Sequence, residues 1–187
     1  MKIIAISAKQ GAGKTTLADS LSQSLSKCAR TRFAKCLYEM HDAVLEVLRR
    51  YGFERELDKR LLQLLGTEWG RNVVDSSIWV KCLLADAQRY EDAGMEYLVI
   101  DDCRFQNEFQ ALRKKGAIQI RLECSEVARK ARCSQWRETT THQSEIDLDD
   151  CVDQFDLVIN TETLSAEETL QKALEFINAK VSSGTGS

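Results

Sequence analysis

Proline is absent from the 187 residues of this chain, although average usage would give roughly nine. Turns must therefore depend on glycine, asparagine, aspartate and serine. Long apolar runs are also absent, since runs such as Ile3–Ile6 and Leu98–Ile100 fall far short of the ~20 residues that cross a bilayer. The first residues lack the apolar stretch of a secretory signal peptide. These absences argue against a membrane or secreted protein.

Neither sign of charge dominates. The chain has 26 Lys and Arg against 29 Asp and Glu, with a net charge of −3 and a pI near 5.6. Nothing global therefore favours nucleic acid or an anionic membrane as a partner. The seven cysteines are scattered, and no two form a C-x-x-C pair. This argues against a zinc or redox motif and a complete disulfide framework. We expect reduced thiols and a cytoplasmic protein.

Strand-like apolar segments alternate with segments of helical periodicity. The predicted strands are Lys2–Ser7, Thr31–Ala34, Tyr97–Ile100, Ala117–Leu122 and Phe155–Ile159. A helical stretch before the third strand is predicted to break at the sequence GTEWG, and a capping box at Ser165 opens the last helix. This alternation predicts an α/β fold in which helices cover both faces of a parallel sheet.

The strongest chemical signal is a glycine-rich loop between the first strand and the first helix. It reads AKQGAGKTT and matches G-x-x-x-x-G-K-[S/T], except that Ala8 replaces the first glycine. Gly11 and Gly13 would turn backbone N–H groups toward phosphate oxygens. Lys14 would reach the β- and γ-phosphates, and the Thr15 hydroxyl would hold Mg²⁺. The alternative is a glycine-rich turn without a ligand, and the position between strand and helix argues against it. The sequence therefore predicts a nucleoside triphosphate site.

A second signal directly follows the strand that ends at Ile100. Asp102 would hold Mg²⁺ through water or accept a hydrogen bond from an acceptor substrate, and Arg104 would clamp a phosphate. Ligands of parallel sheets lie beyond the carboxyl ends of the strands, which favours this interpretation. The alternative is a helix N-terminus capped by Asp102 with a surface Arg–Glu pair.

Two further segments carry arginines. Arg129, Arg132 and Arg137 lie between the fourth and fifth strands, where a closing lid would bring them to phosphates. A solvated charged helix is the alternative. Trp69 and Arg71 would suit stacking on a base and binding of its phosphate, while a position in the core is the commoner fate of a tryptophan.

Taken together, these motifs resemble one family, the deoxynucleoside monophosphate kinases of bacteriophages. The resemblance depends on the phosphate loop, on FAKxL from Phe33, on LGTEWGR from Leu65, on VIDDxRFxNE from Val99, and on the lid arginines followed by HxSE from His142. It covers about residues 1–178. The GTEWGR and DxRFxNE pair is far more specific than the loop, which many nucleotide-binding proteins share.

The resemblance implies a P-loop kinase fold, with a five-stranded parallel sheet flanked by helices. It implies a single domain over 1–181 with a monophosphate-binding helical region at about 35–75 and an arginine-bearing lid at about 125–150. Residues 182–187 are expected to form a disordered tail. The implied activity is transfer of the γ-phosphate of ATP, with Mg²⁺, to a deoxynucleoside monophosphate in the cytoplasm, of the infected host if the chain is phage-encoded. Nucleic acid and membrane are not expected as partners, and a homodimer is left open.

Carried over by motif, the resemblance assigns residues to four roles. ATP would be held by Gly11, Ala12, Gly13, Lys14, Thr15, Thr16 and Asn160, the last with Thr161 at the edge of the adenine pocket. Mg²⁺ would be held by Thr15 and Asp102. The acceptor would be bound by Lys35, Trp69, Arg71, Asp102, Arg104 and Glu145. The transferring group would be contacted by Lys14, Arg104, Arg129, Arg132 and Arg137, and which lid arginine acts in catalysis stays open.

Two positions depart from the family pattern. Ala8 lies where the family usually has glycine, and Lys35 lies where an aspartate is common, which leaves the base or phosphate preference open. The attacking phosphate oxygen is already anionic near neutral pH. We therefore expect catalysis by alignment and charge neutralisation, without a covalent enzyme intermediate.

Two alternative functions remain. Lys9 lies where partition-type ATPases, nucleotide-switched dimers that act on DNA or partner proteins, carry a signature lysine, although the acidic pI and short chain weigh against this class. A dephospho-coenzyme A kinase or similar small-molecule kinase would share the loop, the sheet and the arginine lid. A requirement for an added deoxynucleoside monophosphate excludes the first alternative, and a substrate panel excludes the second.

Overall fold

The fold is built on one parallel sheet. The computed structural model describes residues 1–133, 136 and 146–183. Its strands are β1 (Lys2–Ala8), β2 (Cys28–Thr31), β3 (Tyr97–Ile100), β4 (Ile118–Glu123) and β5 (Leu157–Asn160). They pair in the order β2-β3-β1-β4-β5, and every pair is parallel. The predicted five-stranded parallel sheet is therefore confirmed, with the loop-bearing strand β1 at its centre.

Helices connect the strands. They are α1 (Lys14–Ser24), α2 (Lys35–Arg50), α3 (Lys59–Gln63), α4 (Ile78–Asp92), α5 (Gln106–Lys114), α6 (Glu126–Arg132) and α7 (Ala166–Ser183), with a π-helical segment over Leu64–Val74 and a 3₁₀ helix over Asp149–Gln154. The capping box predicted for the last helix is present, because Ser165 and Glu168 exchange hydrogen bonds of 2.8 and 3.1 Å. Part of the predicted tail, residues 184–187, lies outside the described residues.

The sheet separates two apolar cores. Ile4 and Ile6 of β1 face one core, where α1 and α7 pack, while Ala5 faces the other, which contains Phe109 of α5. This alternation follows from the two-residue period of a strand. Since both faces are covered, the strand β3 is apolar throughout and β1 largely so, whereas β4 also buries the polar residues Gln119 and Arg121. Within the described residues, no helix has the length and apolarity to span a bilayer.

The second strand lies earlier in the chain than the sequence indicates. The prediction is Thr31–Ala34, and the structure places the strand at Cys28–Thr31, paired with β3. The reason is a tertiary contact, since the Asp102 carboxylate accepts the backbone N–H groups of Phe33 and Ala34 at 2.8 and 3.0 Å. Those two amides are therefore directed at a side chain and not at a neighbouring strand.

The predicted break at GTEWG is also wrong, because the chain continues there as the π-helical segment. Its glycines serve close packing and not termination. A Cβ atom at Gly70 would lie 2.7 Å from the Trp79 ring, and Trp79 Nε1 donates to the Gly66 carbonyl at 2.9 Å. The indole thus fits against the segment only because Gly70 has no side chain, whereas a Cβ atom at Gly66 would lie 3.1 Å from Leu37.

Candidate active site

The candidate nucleotide site begins at the loop that joins β1 to α1. Gly11 and Gly13 have φ angles of +80° and +92°, a left-handed conformation that glycine adopts without strain. The helix begins directly after Gly13, and a helix N-terminus behind a glycine-rich loop is a geometry that binds phosphate. The Lys14 ammonium donates to the Ala8 carbonyl at 3.1 Å. The loop therefore closes on itself although Ala8 replaces the first glycine.

Residues from the far end of the chain hold this loop in place. Arg129 Nη1 donates to the Gln10 carbonyl at 3.0 Å, and Thr161 Oγ1 donates to the Ala12 carbonyl at 3.1 Å. A Cβ atom at Gly11 would lie 2.8 Å from the Arg129 carbonyl oxygen, so a side chain has no room there. The shape of the loop is therefore fixed by α6 and by the residue after β5, as well as by its own glycines.

A cavity of about 300 Å³ lies beside the loop. Its described lining comes from the loop and α1, from α6, from the turn after β5 and from the start of α7: Ala12, Gly13, Thr16, Leu17, Arg132, Thr161, Leu164, Ala166 and Thr169. Arg132 Nη2 donates to the Thr161 and Glu162 carbonyls at 2.9 and 3.2 Å. A planar guanidinium over an apolar slot suits a stacked base. We call this the base cavity.

The sequence places Asn160 at the edge of the adenine pocket, and the structure separates it from the base cavity. Asn160 Oδ1 accepts the Glu162 backbone N–H at 2.9 Å, and its side chain lines a neighbouring polar cavity together with Arg121 and Asp149. Its neighbour Thr161 lines the base cavity instead. Because successive residues of a strand end point to opposite sides, only one of the two reaches this cavity.

A second cavity, of about 510 Å³, lies over the end of β3, on the other side of β1. Its described lining is largely apolar with a few charged groups: Phe33, Ala34, Leu37, Leu62, Gly66, Thr67, Arg71, Trp79, Asp102, Arg104, Phe105 and Glu108. It shares no described lining residue with the base cavity. Of the predicted acceptor residues, the structure brings Arg71, Asp102 and Arg104 together here. We call this the acceptor cavity.

One buried carboxylate, Glu108, connects the charged groups of the acceptor cavity. Its Oε2 atom accepts the backbone N–H groups of Arg104 and Phe105 at 3.0 and 3.2 Å. Its Oε1 atom lies 3.5 Å from Nη2 of Arg71, whose guanidinium stacks 4.6 Å from the Phe105 ring centroid. Burial raises the pKa of Glu108 to about 7, and the Asp102 carboxylate also raises it. In the sequence, Glu108 stands out only as the last letter of the DxRFxNE motif.

Asp102 is partly buried, and both of its oxygens face the turn between β2 and α2, where they accept the two backbone N–H groups of Phe33 and Ala34. Burial raises the pKa of Asp102. This carboxylate therefore fits a role in shaping the cavity wall better than direct coordination of a cation. The Thr15 hydroxyl, exposed in the first turn of α1, fits Mg²⁺, which prefers hard oxygen ligands, retains waters and takes phosphates as its other ligands.

Lys35 and Trp69 are not brought into the acceptor cavity. Lys35 Nζ lies 2.8 Å from Oδ2 of the buried Asp86 and 5.7 Å from the Tyr90 ring centroid, so it faces α4. This pairing raises the pKa of Lys35. The side chain of Trp69 is 40% exposed, whereas Trp79, at 4% exposure, lines the cavity. The structure thus gives Lys35 a different partner and puts the other tryptophan at this wall.

Two of the arginines predicted to belong to a lid, Arg129 and Arg132, lie in α6 and contact backbone carbonyls. Arg129 is buried and binds the Gln10 carbonyl of the loop together with the Cys124 carbonyl, the latter at 3.2 Å. Arg132 binds the turn after β5, beside the base cavity. The other two lid assignments, Arg137 and Glu145, lie outside the described residues.

Lys9, the residue that suggests a partition-type ATPase, is paired within its own chain. Its Nζ lies 2.6 Å from Asp149 Oδ2, and the other oxygen of that carboxylate lies 2.9 Å from Nη2 of Arg121. The contact gives Lys9 a structural role in joining the loop to the 3₁₀ helix that begins at Asp149.

The shifted pKa of Glu108 predicts a pH-dependent stability. Its pKa lies near 4.5 in the unfolded chain and near 7 in the fold, so the folded protein binds this proton more tightly. The resulting stability is present below about pH 4.5 and is lost as the pH rises through 7. We expect the free energy of unfolding of wild type, relative to Glu108→Gln, to fall by about 2 kcal/mol between pH ~5 and ~8. Urea melts at both pH values measure this difference, and an unchanged difference would contradict the prediction.

The comparisons with known proteins agree with this geometry. A family model described as deoxynucleotide monophosphate kinase matches residues 35–171. No protein with a curated description matches the sequence. The structure is similar to a sugar kinase from a Janibacter species, with a TM-score of 0.61 and 14% identity over 95% of each chain. It is also similar to a shikimate kinase from Aquifex aeolicus, with a TM-score of 0.57 and 13% identity over 97% of this chain and 98% of that one.

A dephospho-CoA kinase from Campylobacter jejuni gives a TM-score of 0.56 and 14% identity over 99% of this chain and 100% of that one. Identities this low show a shared fold and nothing about substrate. The family model, in contrast, matches well over half of the chain, and the matched residues include two described lid arginines and nearly all of the acceptor cavity. The chain therefore belongs to the deoxynucleotide monophosphate kinase family and is a phosphotransferase.

Proposed function

We propose that this protein transfers the γ-phosphate of ATP to a deoxynucleoside monophosphate and releases ADP and the deoxynucleoside diphosphate. The observation that carries the proposal is the pair of cavities on opposite sides of one phosphate loop, with two arginines in the cavity on the acceptor side. Such an enzyme would supply precursors for DNA synthesis in the cytoplasm.

On the donor side, the triphosphate would lie along the loop with its base in the base cavity. Backbone N–H groups of the loop and the α1 N-terminus favour phosphate oxygens. Arg132 and Leu164 would enclose the adenine ring between a guanidinium and an apolar wall. Mg²⁺ bound to the triphosphate, with Thr15 as its protein ligand, would neutralise charge on the β- and γ-phosphates.

On the acceptor side, Arg71 and Arg104 would bind the monophosphate. Guanidinium groups bind phosphate through paired N–H donors, which fixes its orientation as well as its charge. The apolar wall of Phe33, Leu37 and Trp79 would pack against the base and sugar. A largely apolar cavity with a few placed charges is typical of a small-molecule site.

Catalysis in this arrangement needs alignment more than proton transfer. The attacking oxygen belongs to a phosphate that is already ionised, so no side chain has to act as a general base. Lys14, from the loop, would neutralise charge on the transferring group while the acceptor arginines hold the nucleophile in line. Arg129 would contribute by holding the loop through the Gln10 carbonyl. Which further lid arginine reaches the transferring phosphoryl group is left to experiment.

A coupled assay of ADP release tests the proposal. With ATP and each of dAMP, dGMP, dTMP and dCMP in turn, we expect ADP to form only when an acceptor is present, with dGMP and dTMP among those accepted. Direct detection of the deoxynucleoside diphosphate confirms the product. ATP hydrolysis at a rate that does not depend on the acceptor would favour a partition-type switch. Phosphorylation of dephospho-coenzyme A alone would favour a dephospho-coenzyme A kinase. Either result would contradict the proposal.

A further inference from the structure

We propose that Glu108 is a positioning residue for the acceptor phosphate, because its buried carboxylate contacts the Arg71 guanidinium and holds the backbone turn that carries Arg104. The inference rests on the proposed function, in which Arg71 and Arg104 bind that phosphate. Glu108 itself would not touch the substrate.

The two carboxylate oxygens of Glu108 have different partners. Oε2 accepts two adjacent backbone N–H groups, those of Arg104 and Phe105, and so fixes the turn between β3 and α5. Oε1 is directed at Arg71, which belongs to the π-helical segment 37 residues earlier in the chain. A single side chain therefore joins two elements that are distant in sequence but meet at this cavity.

Arg71 is held by two groups that both depend on Glu108. Its guanidinium stacks on the Phe105 ring at 4.6 Å, and its Nη2 faces Oε1 at 3.5 Å. The backbone of Phe105 is itself held by Oε2. The stacking surface and the anionic partner of Arg71 are thus fixed by the same carboxylate, which restricts the guanidinium to one edge of the cavity.

Above its pKa of about 7, Glu108 is a buried anion, and the groups around it show what compensates the charge. The side chain of Glu108 is 4% exposed, whereas that of Arg71 is 27% exposed. An anion that costs free energy to bury is retained in a fold only where other groups compensate it. Here the compensating groups are two backbone N–H donors and the Arg71 guanidinium, while Asp102 lies close enough to oppose the charge. A neutral helix-capping residue would have satisfied the backbone N–H groups alone, so the charge serves the arginine.

The test compares Glu108→Gln with Glu168→Gln at about pH 8, where an ordinary carboxyl is ionised. Glu168 is a matched control because it caps α7 in the same way, with its carboxylate accepting the Ser165 backbone N–H at 2.8 Å. It lies outside both cavities. If Glu108 mattered only as a helix cap, the two variants would behave alike.

For Glu108→Gln we expect the KM for the deoxynucleoside monophosphate to rise about tenfold or more, because a displaced arginine no longer meets the phosphate. The KM for ATP should stay within about twofold of wild type, and kcat should fall less than KM rises. Glu108→Asp keeps the charge on a shorter side chain and should recover part of the loss. Glu168→Gln should match wild type in all three constants. An unchanged acceptor KM in Glu108→Gln would overturn the inference.

A double-mutant cycle with Arg71→Ala tests the coupling. Once Arg71 is absent, the Glu108→Gln change should raise the acceptor KM by less than about threefold, because the glutamine carbonyl oxygen can still accept the backbone N–H groups of Arg104 and Phe105 and only the contact with Arg71 is lost. Full additivity would mean that Glu108 acts elsewhere, and would overturn the inference.

A binding measurement separates this inference from the proposed function. Inorganic phosphate is titrated into the protein by calorimetry with ATP present, so that the phosphate loop is already filled. We expect Glu108→Gln to bind phosphate about tenfold more weakly than wild type and Glu168→Gln to bind it equally. Equal binding by Glu108→Gln would overturn the inference. A wild type that binds phosphate in this way but phosphorylates none of the four monophosphates would contradict the proposed function and leave the positioning role supported.

Discussion

Lys14→Ala is expected to lower kcat by about a thousandfold, to the detection limit of the coupled assay, while the protein remains folded. In the proposed mechanism Lys14 supplies positive charge next to the transferring phosphoryl group, and its loss would leave developing negative charge without that compensation. Its hydrogen bond to the Ala8 carbonyl, at 3.1 Å, contributes about 1 kcal/mol net to stability. The melting temperature should therefore change by only a few degrees. Circular dichroism measures it on the same protein that is used in the turnover assay.

Lys9→Ala is the matched control from the same loop. The Lys9 ammonium is paired with the Asp149 carboxylate, and the proposed mechanism gives it no contact with the triphosphate. Its removal should therefore reduce kcat by less than about tenfold. The partition-type alternative expects the opposite, since there the signature lysine is essential. Retained turnover in Lys14→Ala would contradict the mechanism, and a loss confined to Lys9→Ala would favour the alternative.

Gly11→Ala is expected to raise the KM for ATP by about tenfold to a hundredfold and to lower the melting temperature. The φ angle of +80° costs about 1–2 kcal/mol for a residue with a Cβ atom. That atom would also lie 2.8 Å from the Arg129 carbonyl oxygen and 3.2 Å from Arg129 Cβ, so α6 must move away from the loop. A movement of about 1 Å at a positioned phosphate site is enough for an effect of this size.

Gly94→Ala separates the cost of the φ angle from the effect of the contact with α6. Gly94 has the same φ angle of +80°, but a Cβ atom there would meet nothing within 4 Å, and the residue lies outside both cavities. It should lose about 1–2 kcal/mol of stability with unchanged kinetic constants. If Gly11→Ala lost no more ATP affinity than Gly94→Ala, the contact between the loop and α6 would have no part in nucleotide binding.

Much of the fold is predictable because it follows from local patterns. The strand Tyr97–Ile100 is predicted with its observed bounds, and the capping box at Ser165 is a local signal that the structure confirms. The end of β2 at Thr31 is not predictable, because the backbone N–H of Phe33 donates to a carboxylate 69 residues away. The role of Gly70 is missed for a similar reason, since only the fold shows the Trp79 ring that packs on it.

The residues of the candidate site differ in the same way. The position of a loop residue such as Lys14 can be predicted from the sequence because its neighbours in sequence are also its neighbours in space. Lys35 cannot, because its partner Asp86 comes from a helix that the motif does not include. Glu108 receives no role from the sequence because its significance depends on Arg71, which reaches it only when the π-helical segment packs beside α5. The spacing of residues within a motif carries no information about such tertiary contacts.

The central position of β1 in the sheet has one more consequence. The order β2-β3-β1-β4-β5 places the acceptor cavity on the β3 side of the loop and the base cavity on the side of α1 and the β5 turn. Under the proposed function, donor and acceptor would occupy separate cavities, and neither would have to leave before the other arrives. Such an enzyme has no need to store the phosphoryl group on a side chain between substrates, and its kinetics should be sequential, with both nucleotides bound at once.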